Sequence, residues 1–272
     1  MSSPVLPWRP SGVSGRTVAV LAAVAAALVA AFVVAPGPLA AAGSGGDLDG
    51  LRGAFAEYWS AGDRPLSPAL QRAVDYWFGY HLVKGAIAAL LLVVLAALAV
   101  RLGRSFLRTG GPGTGRRLAL GGSGALVTLL GLFALVVVMA NVQGAVAPFA
   151  SLLPMLSGGD LAQAREQLAG SLTTGAAVSP ALQAMVDDFG RYHAAMAVVA
   201  GLVTVAFVAV AVALWRRFAR TPRDSRRARA VWGALGGLSV LLSLAMLTVA
   251  VANTTVAADP APALLAFFEG GW

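Results

Sequence analysis

The sequence predicts an all-α, polytopic integral membrane protein, with five transmembrane helices, a tandem parallel internal repeat and helical outer segments. Three observations predict it. The chain is 58% hydrophobic and 12% charged, with a mean hydropathy of +0.78, which is too apolar for an ordinary soluble domain. Five stretches, about 17–36, 81–100, 118–140, 194–214 and 231–252, approach the roughly 20 apolar residues that a bilayer core requires at ~1.5 Å each. Finally, Ser67-Pro68-Ala69-Leu70-Gln71 recurs as Ser179-Pro180-Ala181-Leu182-Gln183, an offset of 112. The same offset carries Tyr80-His81 onto Tyr192-His193, Arg108-Thr109 onto Arg220-Thr221, and Ala140-Asn141 onto Ala252-Asn253. Self-similarity at a fixed period marks a duplicated structural unit.

The first span, 17–36, follows Arg9 and Arg16 and ends near small residues, Leu39-Ala40-Ala41-Ala42, that resemble a cleavage site. Its apolar run exceeds the ~7–15 residues of a signal-peptide core. Val34-Ala35-Pro36 also repeats as Val146-Ala147-Pro148. The span therefore reads as a retained helix and a shortened copy of the third. No Arg-Arg pair supports a twin-arginine signal.

The outer segment that follows carries Leu51, Phe55, Tyr58 and Trp59 at helical spacing, giving a short helix with one apolar stripe near the membrane interface. Ser67 and Ser179 have the chemistry of N-caps, with Pro68 and Pro180 at the first helical position. No breaker separates Pro68 from the second span, so one helix is predicted over 68–101. Its copy runs over 180–216, with Gly190 as a weak point. The repeats are placed at 34–145 and 146–257, within a single integral-membrane domain over 1–272. Because the second and fourth spans share one direction, the repeats are parallel, related by a pseudo-two-fold axis along the membrane normal.

The net charge of +8 raises the question of nucleic acid, but its distribution argues for a membrane. Arg101, Arg104, Arg108, Arg116 and Arg117 lie between the second and third spans, and Arg216 to Arg229 hold seven arginines between the fourth and fifth. The alternate segments hold most of the acids, among them Asp47, Asp49, Asp63, Asp160 and Asp187. This is the positive-inside pattern, with the N-terminus cytoplasmic and the C-terminus outside. The basic turns suit anionic lipid headgroups. The chain has no cysteine and a single lysine; with abundant Ala, Gly and Val this suggests a GC-rich bacterial gene and a bacterial plasma membrane. Disulfides and thiol chemistry are excluded.

Five residues stand out as an outer-face polar cluster: His81, His193, Asn141, Asn253 and Lys84. His81 precedes Arg101 by 20 residues, ~30 Å of helix, which places it at the outer edge of the hydrocarbon. The two histidines either meet across the axis, where neutral imidazoles hold a metal or haem or sense pH, or act as interfacial anchors. Two nitrogens alone make a poor metal site, so neither metal nor cofactor is expected. Asn141 and Asn253 each follow a cytoplasmic arginine by 24 residues, reaching the same level; they bond across helices or simply end a span. Lys84 has no counterpart, Met196 taking its place. An intramembrane cation is a functional candidate by default, though a lysine near the interface also snorkels. Tyr58, Tyr76, Tyr80 and Tyr192, with Trp59 and Trp77, read as an outer aromatic belt, and Trp8, Trp215 and Trp232 as an inner one.

Gly121-Gly122-Ser123-Gly124 contains the GxSG string of rhomboid proteases. Ser123 and His193 lie near opposite faces of the bilayer, far beyond the ~3 Å a nucleophile and base require. Gly121/Ala125 and Gly233/Gly237 read instead as helix-packing seams. The turn from Gly110 to Arg116 lacks the Lys-Ser/Thr pair of a P-loop. No enzyme activity is expected.

The stretch 140–149, Ala-Asn-Val-Gln-Gly-Ala-Val-Ala-Pro-Phe, with the histidine-preceded spans and Ser-Pro-Ala-Leu-Gln, resembles uncharacterised five-span membrane proteins of actinomycete type. The resemblance implies no activity. Few intramembrane polar groups favour a structural or interaction protein whose outer helices dock a partner or another copy. The alternative is a small permease or channel around the pseudo-two-fold axis.

Overall fold

The computed structural model describes residues 15–108 and 114–271. Trp8, Arg9 and the glycine-rich turn at 110–113 lie outside the described residues. Among those described there are helices and no strand, and five helices are long and apolar enough to cross a membrane. The helices are α1 (Gly15–Val34), α2 (Pro36–Ser44), α3 (Leu51–Ala61), α4 (Pro68–Arg108), α5 (Thr114–Val146), α6 (Pro148–Leu152), α7 (Ala162–Thr174), α8 (Pro180–Arg220), α9 (Arg226–Ala258) and α10 (Pro260–Phe268). The spans are α1, α4, α5, α8 and α9. Such helices satisfy every backbone group internally, the condition for exposure to lipid, and their surfaces present Val93, Leu129, Val205 and Leu241 outward.

Helix bounds recur at the sequence offset. Both α4 and α8 are 41 residues long and both α5 and α9 are 33. The serine caps form as expected: Leu70 N–H donates to Ser67 Oγ at 3.3 Å, and Leu182 N–H to Ser179 Oγ at 3.2 Å. The long helices exceed the expected 68–101 and 180–216, because nothing in Leu102–Arg108 or Arg217–Arg220 breaks a helix. α8 runs unbroken through Gly190. That residue is also a point of close approach, where an added Cβ would come within 3.3 Å of Pro260 Cγ.

Three short helices begin with a proline, at Pro36, Pro148 and Pro260, again 112 apart. Proline cannot donate to the preceding turn and crowds the residue before it. Ala147 (φ −134°, ψ 71°) and Asp259 (φ −140°, ψ 82°) accordingly leave helical geometry, which ends α5 and α9.

The chain divides into two compact units, and the division does not follow the repeat boundaries at 145/146. One unit joins the chain up to Ala31 with Ile87–Leu135; the other joins Phe32–Ala86 with Val136–Trp272. In the first, glycines on α5 receive side chains from α4. A Cβ at Gly121 would lie 3.4 Å from Phe106, and one at Gly131 would lie 3.9 Å from Leu95. In the second, Gly233 on α9 meets Phe218 of α8 in the same way, at 3.4 Å. The next seam residue there is Gly236, beneath Trp215, and not Gly237, which faces open space. Gly236, Ser239 and Ser243 form the buried stripe of α9. Small residues let helices approach closely enough for dispersion to hold them in lipid.

The second unit also contains a helical cap with its own apolar core. Leu51, Phe55 and Tyr58 of α3 pack with Leu70 and Val74 of α4, Phe149 and Leu152 of α6, Leu168 of α7, Leu182 and Met185 of α8, and Leu264 of α10. The stripe on α3 is thus buried in protein rather than laid on lipid. Tyr58 is wholly inaccessible, so it is not part of an aromatic belt.

Candidate functional site

Two copies of one polar arrangement lie on the long helices, on the side toward the cap. His81 Nδ1 lies 3.0 Å from Asn141 Oδ1, and His193 Nδ1 lies 2.8 Å from Asn253 Oδ1. The histidines therefore each bond the asparagine of the span that follows, 60 residues on. The asparagines cross-link helices and do not merely end their spans.

Hydrogen positions follow from the asparagine's second bond. Asn141 Nδ2 donates to Val137 O at 2.8 Å, and Asn253 Nδ2 to Val249 O at 2.8 Å. Each amide thus turns its oxygen to the ring, and that oxygen only accepts, so Nδ1 carries the hydrogen in both histidines. Aromatic rings one turn earlier flank each imidazole: Trp77 lies 4.7 Å from His81, and Phe189 lies 4.6 Å from His193, between ring centroids.

His81 is the more enclosed. Its Nε2 is buried without a hydrogen-bond partner. A Cβ added at Gly144 would fall 2.5 Å from that nitrogen, so the ring tip rests on the glycine. A metal or haem iron approaching Nε2 from that side meets backbone. Among the described residues no group of three or more His, Asp or Glu side chains is placed to hold a metal ion. The arrangement is chemically a clamp, an imidazole donor held to an amide acceptor between two helices.

Lys84 lies one turn deeper and belongs to neither clamp. Its ammonium donates to Tyr80 Oη at 3.3 Å and sits over the rings of Phe32 at 4.7 Å and Tyr80 at 5.0 Å. Cation–π contact of this kind satisfies an ammonium near the membrane without a counter-ion.

Above the clamps, the cap contains polar residues that sequence reasoning missed. Tyr58 donates to Ala181 O at 3.0 Å, while Ala181 N–H donates to Gly62 O at 3.3 Å. The end of α3 thus takes up both backbone groups of one residue at the start of α8. Burial pushes the Tyr58 pKa up to about 12, with Arg64 pulling weakly the other way. Asp188 is buried, accepts from Ala150 N–H at 2.8 Å and pairs with Arg191 at 3.1 Å. Arg64 pairs with Asp187, and Trp59 Nε1 donates to Gln163 Oε1 at 2.8 Å. Gln143, also buried, donates to Tyr192 O at 3.1 Å. At the start of α7, the Ser157 hydroxyl and N–H hold the Asp160 carboxyl below the usual carboxylate range, helped by Arg52. A cavity of about 260 Å³ lies between Arg64, Gln71, Phe149, Asp187 and Arg191. Its charged groups are already paired with one another.

No protein-family model, curated protein or solved structure matches the chain.

Proposed function

We propose that this chain is a structural or interaction protein of a bacterial plasma membrane, without enzymatic activity, whose outer helices dock a partner or another copy. The proposal places the N-terminus in the cytoplasm, the C-terminus outside, and the arginine-rich turns on anionic lipid headgroups. It takes the 112-residue offset as a tandem parallel duplication about a pseudo-two-fold axis.

The observation that carries this reading is where the spans spend their polar groups. His81, Asn141, His193 and Asn253 bond within their own helix pairs. Thr128, Thr204, Ser239, Ser243 and Thr248 each return their hydroxyl to the carbonyl four residues earlier. A permease or channel around the axis needs side chains free to replace a solute's water, and intramembrane polar groups normally mark such a path. In this chain the histidines and asparagines join helices, and the hydroxyls are spent within their own helices. The cap, by contrast, is a packed layer whose α7 turns Gln163, Arg165, Glu166 and Gln167 outward.

Photo-cross-linking in native membranes tests the reading, with benzoylphenylalanine at Glu166 in the cap or at Val205 on the lipid-facing side of α8. The expected result is a discrete adduct from position 166, identified by mass as a second copy or one defined protein, and none from 205. Absence of any adduct from the cap, together with solute flux through reconstituted vesicles, would favour the permease reading instead.

A further inference from the structure

The helix pair α8/α9 carries a groove at its arginine-bearing end that nothing among the described residues fills. Its cavity measures about 550 Å³. Val208 and Val212 of α8 and Val240 and Leu244 of α9 form its sides, all exposed, while Ala211 and Ser243 form a buried floor. The Ser243 hydroxyl is turned down onto Ser239 O at 2.8 Å, which leaves the floor apolar. Trp215, Arg216 and Ala219 close the end nearest the turn. From Val208 to Ala219 the groove follows 11 residues of helix, ~17 Å, about one leaflet of a ~30 Å hydrocarbon core.

The charges at its mouth are not equivalent. Arg229 donates to Phe218 O and Thr221 O at 3.1 and 2.9 Å, closing the end of α8. Arg217 lies over the Trp232 ring at 5.4 Å. Arg216 lines the groove itself and has no ion pair among the described residues. Trp215 owes its place to Gly236, where a Cβ would come within 3.1 Å of the indole nitrogen. The counterpart of Trp215 at the 112 offset is Gly103, and Ala219 is replaced by Leu107. The earlier helix pair therefore lacks the indole at that place, although its Arg104 matches Arg216.

We propose that this groove is a binding site for one anionic phospholipid, with an acyl chain along α8/α9 and the phosphate on Arg216. A chain of methylenes matches the groove in polarity and length. Guanidinium binds phosphate through paired N–H donors, and an indole is at home at the headgroup level. The site deepens the proposed contact between arginine turns and anionic headgroups and rests on the membrane-spanning reading.

The test uses the full chain in mild detergent, so cellular orientation does not enter. The probes are phosphatidylglycerol and phosphatidylcholine with brominated acyl chains, read by tryptophan quenching. Phosphatidylglycerol is expected to give a saturable quenching component that Trp215→Phe removes. Arg216→Gln should weaken it about five-fold, the effect of one arginine at a lipid surface. Arg223→Gln and Arg104→Gln should leave it unchanged, inorganic phosphate should not compete, and phosphatidylcholine should titrate several-fold more weakly. Equal quenching by both lipids, or quenching unaffected by Trp215→Phe, overturns the proposal. So does competition by inorganic phosphate, which would make Arg216 a simple anion site. Equal weakening by Arg216→Gln and Arg223→Gln overturns the groove while leaving the diffuse headgroup contact standing.

Discussion

Tyr58 donates its hydroxyl hydrogen to the backbone carbonyl of Ala181 across 123 residues of sequence. The bond ties α3 to the first turn of α8, and Phe149 meets the same ring edge-on at 5.7 Å. A buried phenol with one partner is sensitive to loss of that partner and to loss of its proton.

Replacing Tyr58 with phenylalanine should therefore lower stability by about 0.5–1.5 kcal/mol, since it removes one buried hydrogen bond while Ala181 O keeps its place in the ladder of α8. The pH dependence has a definite sign. The folded-state pKa is about 12 against an ordinary 10, so the folded chain holds this proton more tightly than the unfolded one. The contribution is full below pH 10 and is lost as pH rises toward 12. Thermal stability between pH 8 and 11.5 should decline more steeply in the wild type than in Tyr58→Phe. Parallel curves would mean that Tyr58 ionises as freely folded as unfolded.

Gly144 makes a second prediction. Gly144→Ala places a methyl group against the His81 ring and should cost about 1–3 kcal/mol through forced repacking. The same substitution in a His81→Ala background should cost far less. Equal costs in both backgrounds would show that the imidazole is not what occupies the space. The counterpart at the 112 offset is Val256, so the second helix pair places no glycine requirement there.

Much of this fold was legible in the sequence. The five spans, the serine caps at 67 and 179, and the unbroken helices after them follow from apolar length, side-chain oxygens and proline placement, all local properties. The stripe Leu51/Phe55/Tyr58 was legible as a stripe, but its partner was not. Lipid and a protein core demand the same residues, and only the arrival of Phe149, Leu182 and Leu264 from distant segments decides between them. Asp188 carried no signal, because its counterpart at the 112 offset is Tyr76. The His–Asn pairing did leave one. Histidine and asparagine are 60 residues apart in both copies, a coincidence of spacing that depth alone left ambiguous.

The proposed orientation predicts that the cap faces outside and the arginine turns face the cytoplasm. The chain has no cysteine, so Asp63→Cys and Asp224→Cys, both exposed positions, give clean labelling sites. On intact spheroplasts an impermeant maleimide should modify the first and spare the second. Labelling of Asp224→Cys alone would reverse the topology.

The central claim is that the paired histidines and asparagines of the spans hold helices together. A double-mutant cycle on His193→Ala and Asn253→Ala, with unfolding measured in bilayer-mimicking micelles, tests it most directly. Paired polar groups between membrane helices couple by about 0.6 kcal/mol on average and up to about 1.7. The account predicts a favourable coupling in that range, the same for His81 and Asn141, and unchanged by added Zn²⁺ or haem. Coupling indistinguishable from zero in both pairs, or a stabilisation by metal or haem that the histidine variants lose, would contradict it.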